Sequence, residues 1–168
     1  MALHGTVGPA RTTFSMVAER AGVQRKTLYA HFPDEPSLFQ ACSAHHLEQH
    51  PPPDPSAWAE VADRPERART ALLAIYEWYE AHAGLIAAVL RDAEHHEGTR
   101  EITRLRLGPC FAAWEASLRT DRDSPTVAAL IGLALSFHTW RTLTVERGLA
   151  TTAAAAAMAA AITSAGSA

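Results

Sequence analysis

A chain of 168 residues with 48% apolar content can bury the core of one compact unit or of a small head on a larger body. No run of about eighteen apolar residues offers a membrane span, and no basic stretch leads into an apolar signal core, so the chain reads as cytoplasmic. The net charge of −3 is unevenly placed: within residues 1–31, Arg11, Arg20, Arg25 and Lys26 stand against Glu19 for a balance of +3, which leaves −6 for the remainder. A basic end on an acidic body suits a head that meets phosphate, the source of most sequence-independent affinity for nucleic acid.

From the N-terminus, Met1, Ala2, Leu3 and His4 followed by Gly5 read as a last helical turn and its C-cap. Thr13 is placed as an N-cap. Phe14, Val17, Ala18 and Ala21 then recur at i, i+3, i+4 and i+7, one apolar face of a short helix. Gly22 can take the left-handed conformation that closes it, with Val23 expected to tuck inward as the chain turns. A second helix over 24–31 sets Leu28 and Phe32 toward the first and leaves Gln24, Arg25, Lys26, Thr27, Tyr29 and His31 outside. That face is entirely cationic, polar or aromatic. It suits the major groove, where leading residues reach base edges and neighbouring groups hold phosphates, although spacing alone also fits an ordinary solvated helix hairpin.

The run from Val17 to Phe39, VAERAGVQRKTLYAHFPDEPSLF, resembles the DNA-binding signature of tetracycline-repressor (TetR) family regulators. The likeness lies in the AERAGV turn, the TLYxHF recognition helix and a Pro-containing turn into a long helix. Elsewhere the chain agrees with that family only in length and helical pattern. The resemblance implies base contacts by Gln24, Arg25 and Lys26, and backbone contacts by Thr27, Tyr29 and His31. It also implies that Thr12 and Thr13, at the start of the preceding helix, lie near a phosphate. Two departures stand out. Relatives usually carry a whole helix before this motif, so the head is expected to lack most of that helix and to be loosened. Glu35 stands where relatives often place a phosphate-contacting lysine; it complements the next helix dipole but repels DNA.

Residues 1–48 are thus taken as the head with its linking helix, and residues 49–168 as a helical body. The linking helix, from Asp34 to about His50, turns Leu38, Phe39, Cys42 and Leu47 inward and is stopped by Pro51, Pro52, Pro53 and Pro55. Pro65 opens a helix to about Ala83 with Leu72, Ile75, Tyr76 and Tyr79 on one side, and Gly84 is expected to break it from a shorter one ending near Asp92. Residues 99–119 form the next helix, apolar through Ile102, Leu105, Cys110, Phe111, Trp114 and Leu118, with a kink expected at Gly108-Pro109. Ser124-Pro125 caps a helix to about Arg147, which Gly148 ends. The alanine-dominated stretch over 151–164, with Met158 and Ile162, could be a floppy tail, but alanine's helix propensity favours a packed helix. The fold class is all-α: a helix-turn-helix head followed by a helical ligand-binding and dimerisation body.

By the same resemblance the last two long helices join a partner's in a four-helix homodimer interface, for which Phe137, Trp140, Met158 and Ile162 are candidates. A two-fold dimer sets two recognition helices about one DNA turn apart. The resemblance also implies a small-molecule effector within the body, with Tyr76, Tyr79, Val89, Phe111, Trp114 and His138 as candidate pocket residues; each taken singly also fits plain core. His46 and His50 have the i, i+4 spacing of a metal pair, and His95 and His96 sit beside Glu94 and Glu97. Without a third ligand they read as solvated histidines, so neither metal nor cofactor is expected. Cys42 and Cys110 read as idle thiols rather than a disulfide. With no Ser-His-Asp order, Walker loop or dinucleotide glycine fingerprint, no catalytic residue and no enzymatic activity is expected. The expected function is a ligand-responsive dimeric transcriptional regulator, most often a repressor, on a palindromic double-stranded operator. The alternative is a dimeric small-molecule-binding helical protein with a vestigial head.

Overall fold

The computed structural model describes residues 2–166, and every regular element among them is helical. In chain order these are α1 (Ala2–Thr6), a 3-10 turn (Pro9–Arg11), α2 (Phe14–Ala21), α3 (Arg25–His31), α4 (Glu35–Gln49), α5 (Ser56–Ala59), α6 (Arg64–His95) and α7 (Glu97–Leu118). They are followed by α8 (Pro125–Leu135), α9 (Phe137–Arg141), a π-helical turn (Thr142–Glu146) and α10 (Thr151–Gly166). The chain divides into two compact units, residues 1–51 with 82–108, and residues 52–81 with 109–168. α6 and α7 each contribute a segment to both.

Several boundaries differ from those expected. Gly5 is not a cap, because α1 runs on to Thr6; Gly8, at φ 91, is the glycine whose backbone needs the missing side chain. α6 passes through Gly84 and departs from helical geometry at His82 instead (φ −120, ψ 16). A glycine inside a helix costs only about 1 kcal/mol against alanine, too little to stop a helix of 32 residues. α7 likewise contains Pro109 within its length. The short helix α5 was not expected; it places Trp58 in the core at 1% exposure, with its indole N–H donating to Ser117 Oγ at 2.9 Å.

The helix expected over 125–147 is interrupted at Ser136, which is extended (φ −71, ψ 132) and serves both as the C-cap of α8 and the N-cap of α9. The break has a physical cause that lies on another helix. A continuous helix would bond the Ala134 and Leu135 carbonyls to His138 and Thr139; here Tyr76 Oη and Tyr79 Oη, one turn apart on α6, donate to those carbonyls at 2.9 and 2.6 Å. Both tyrosines are fully buried, and burial pushes their phenols above the ordinary value, so they remain protonated donors. Ser136 Oγ accepts from His138 N–H and Thr139 Oγ1 donates to the Leu133 carbonyl, which satisfies further groups at the break. α10 is a packed helix: Ala154, Ala155, Ala159 and Ile162 are buried, and it runs against α8. Alanine makes that approach possible because it adds little beyond the helix cylinder.

Replacing Tyr79 by Phe keeps the ring and removes the donor to Leu135. Urea unfolding should register a loss of about 1–3 kcal/mol for the orphaned carbonyl, and an unchanged midpoint would mean that the hydroxyl does not hold the break.

Candidate nucleic-acid interface

The head is built on a minimal apolar set. Phe14 and Ala18 of α2, Leu28 of α3 and Leu38 of α4 are buried together, with Val17, Phe32 and Cys42 packed against them. Thr13 caps α2, its hydroxyl accepting from Met16 N–H. Gly22 closes it in the left-handed region (φ 66, ψ 26), and Val23 N–H returns to the Ala18 carbonyl at 3.0 Å. The turn has the expected form, but Val23 does not tuck inward: it is 41% exposed, because its backbone rather than its side chain completes the cap. Asp34 and Ser37 form a reciprocal capping box that starts α4, so the acidic residues here serve helix geometry directly.

The outward face of α3 carries Gln24, Arg25, Lys26, Thr27, Tyr29 and His31, all exposed. Gln24 is the N-cap of α3 but makes no side-chain cap bond, which leaves its amide available at the leading end of the helix. Tyr29 has two roles at once. Its ring stacks on Phe14 at 4.5 Å and 6° while it remains 45% exposed, and its hydroxyl accepts from the Arg25 guanidinium at 2.9 Å. The guanidinium also lies 5.3 Å from the ring centre. Arg25 and Tyr29 therefore present a pre-ordered donor pair, anchored through Phe14 to the core. Thr13 is exposed beside this face. Thr12 is buried, with its hydroxyl donated to the Gly8 carbonyl at 2.8 Å, so as it stands it faces the chain's own backbone.

The start of the head is tied to a distant part of unit 1. Ala10 N–H donates to Asp92 Oδ2 of α6 at 2.9 Å, and the Arg91 guanidinium holds Oδ1 at 2.8 Å. A Cβ on Gly8 would collide with that carboxylate, which is a second reason for glycine there. Desolvation pushes the Asp92 carboxyl upward, but the Ala10 N–H and the Arg91 and Arg11 cations outweigh it, leaving it below its ordinary value. On α1, His4 is buried and stacks on Phe39 at 5.2 Å. Nothing in the sequence pattern signals either Asp92 or His4, since both act through contacts with segments remote in the chain.

The other candidate residues belong to other elements. Tyr76, Tyr79 and Trp114 are fully buried, and Trp114 Nε1 donates to the Pro53 carbonyl at 2.8 Å. Phe111 is half-buried, His138 is exposed, and Val89 belongs to unit 1 while the others belong to unit 2. Phe137, Trp140 and Ile162 are buried within their own unit, and Met158 is half-buried. His96 caps α7, accepting from Thr99 N–H at 3.1 Å. Among the described residues no helix is long and apolar enough to cross a membrane.

Burial lowers His4 to about 4 from 6.5. A folded-state value below the unfolded one means stability that is complete above about pH 6.5 and is lost as pH falls toward 4. Thermal unfolding should therefore show the head weakening across that window, and His4→Phe should flatten the dependence; an equal slope in the variant would place the proton uptake elsewhere.

Residues 1–42 match the family model of bacterial regulatory proteins of the tetR family. Among curated proteins and among solved structures, none matches the chain.

Proposed function

We propose that this chain, a DNA-binding transcription regulator of the tetR family, works as a ligand-responsive homodimer that represses from a palindromic operator. The observation that carries the reading is the exposed face of α3, where Arg25 and Tyr29 are locked to each other and to Phe14 beside the unencumbered Gln24 and Lys26. Such a face meets the major groove with little ordering cost, because its longest side chain is already held. Gln24, Arg25 and Lys26 would read bases, and Thr13, Thr27, Tyr29 and His31 would hold phosphates, with residues 1–48 as the DNA-binding part and 49–168 as the sensing and pairing part.

Support for pairing comes from what the unit leaves uncovered. α8 and α10 pack side by side, and exposed apolar groups sit on α8 and just past α9, with Leu133 at 53% and Val145 at 65%. These, rather than the already buried Phe137, Trp140 and Ile162, are the side chains a partner would cover. Support for an effector comes from the aromatic cluster of Tyr79, Trp114, Phe137 and Trp140, within which Trp140 Nε1 is buried without a hydrogen-bond partner. Buried donors are normally satisfied, so an unsatisfied one in an aromatic core suits a ligand acceptor.

Selection of a duplex from a random library, followed by a salt titration, tests the DNA reading. Affinity should fall steeply with salt, and Lys26→Ala should cost about 1–3 kcal/mol; absence of sequence-specific binding at low salt would leave a vestigial head. Lys26 is a cleaner probe than Tyr29, whose removal also strips cover from Phe14. Sedimentation of Leu133→Arg should give a monomer where the parent chain is a dimer, and a dimer in both would move the interface off α8.

A further inference from the structure

We infer that His46, His50 and His82 form a binding site for one transition-metal ion of the zinc class. His46 lies on the last turn of α4 and His50 is the residue that caps that helix, with ring centres 4.8 Å apart. The third ring comes from a residue 32 positions further along: His82 lies 5.5 Å from His46 and 5.2 Å from His50, and all three belong to unit 1. The three rings thus close a nearly equilateral triangle. His82 is also the single residue at which α6 leaves helical geometry, so its Cβ departs from the direction an unbroken helix would give it.

Imidazoles on one Zn²⁺ bond through nitrogen at about 2.0–2.1 Å with near-tetrahedral angles, and each nitrogen is about 1 Å from its ring centre, which sets the centres of such a triad about 5 Å apart. All three separations fall at that value. Ordinary ring contacts extend to about 7 Å, and the trio of Tyr79, Phe137 and Trp140 is wider and less regular, at 5.5, 5.2 and 6.2 Å. Among the described residues no group of three donor side chains is arranged so that it could hold a metal ion, so the nitrogens have still to turn inward. That turn is a rotation about the Cβ–Cγ torsion of histidine, which is broad and roughly two-fold. Rotation about it sweeps both nitrogens while the ring centre stays almost on the axis. Ring separation is what the fold sets, and nitrogen direction is what an ion would set. Imidazole donors suit zinc, copper and nickel rather than magnesium or calcium, and three of them leave a fourth position for water. Bound there, the ion would cross-link α4 to α6.

The inference is independent of DNA binding and is tested without it, on the untagged full-length chain. Calorimetric titration with Zn²⁺ should find one ion per chain, and Co²⁺ in its place should give the visible absorption of a tetrahedral complex. Affinity should fall at least about tenfold in His46→Ala and His82→Ala and stay unchanged in His45→Ala, whose exposed ring sits on the same helix outside the triangle. If His82→Ala loses helical circular dichroism, His50→Gln supplies the same reading on a milder change. No binding, or binding that His82→Ala and His50→Gln leave intact, would overturn the site.

Discussion

The exposed face of α3 depends on the burial of Leu28. α3 has seven residues, and a helix of that length does not persist alone in water because nucleation is costly and few backbone bonds repay it. It holds its shape because Leu28 is buried against Phe14, Ala18 and Leu38, contributed by the helices on either side. Each such side chain contributes about 1.5–3 kcal/mol when fully buried, a large share of what a head of this size can have. Everything outward follows from that contact. With Leu28 inside, the same helix must put Arg25, Lys26 and Tyr29 outside, and Tyr29 comes to rest on the outer face of Phe14.

Short helices also need their ends managed, and here the solutions are local and polar. Thr13, Gly22 and the Asp34–Ser37 box satisfy the termini of α2 and α4 within a few residues of sequence. Asp92 is the exception. It anchors Ala10 across 82 positions, so the entry to α2 is held by a carboxylate of α6 in the same unit. The depressed carboxyl and the neutral His4 act in one direction, since both favour the folded head at neutral pH and release it on acidification.

Unit 2 solves an analogous problem by the opposite route. Its long apolar stretch after Pro125 has no punctuation strong enough to stop it, yet the helix breaks at Ser136 because Tyr76 and Tyr79 take the two carbonyls that the break exposes. The cost of interrupting a helix is offset by donors that arrive already buried, and the aromatic core then packs around them. The tyrosines expected to line a cavity are thereby committed to the backbone, and the indole N–H of Trp140 is among the buried polar atoms left without a hydrogen-bond partner.

The all-α class, the helix-turn-helix, its caps and the packed alanine helix were legible in the chain because each rests on local chemistry: a hydroxyl three residues from an amide, a glycine after the last apolar residue, an apolar period of 3.6. The resemblance over Val17 to Phe39 added the DNA-binding reading, and the family match agrees with it. What only the tertiary structure decided lies where partners are distant in sequence. The helix break at Ser136, the seating of Trp58 against Ser117, the anchoring of Ala10 by Asp92, and the meeting of His82 with His46 and His50 each join segments dozens of residues apart. Local pattern records which face of a helix is apolar. It does not record which other helix will supply the hydrogen bond or the third ring.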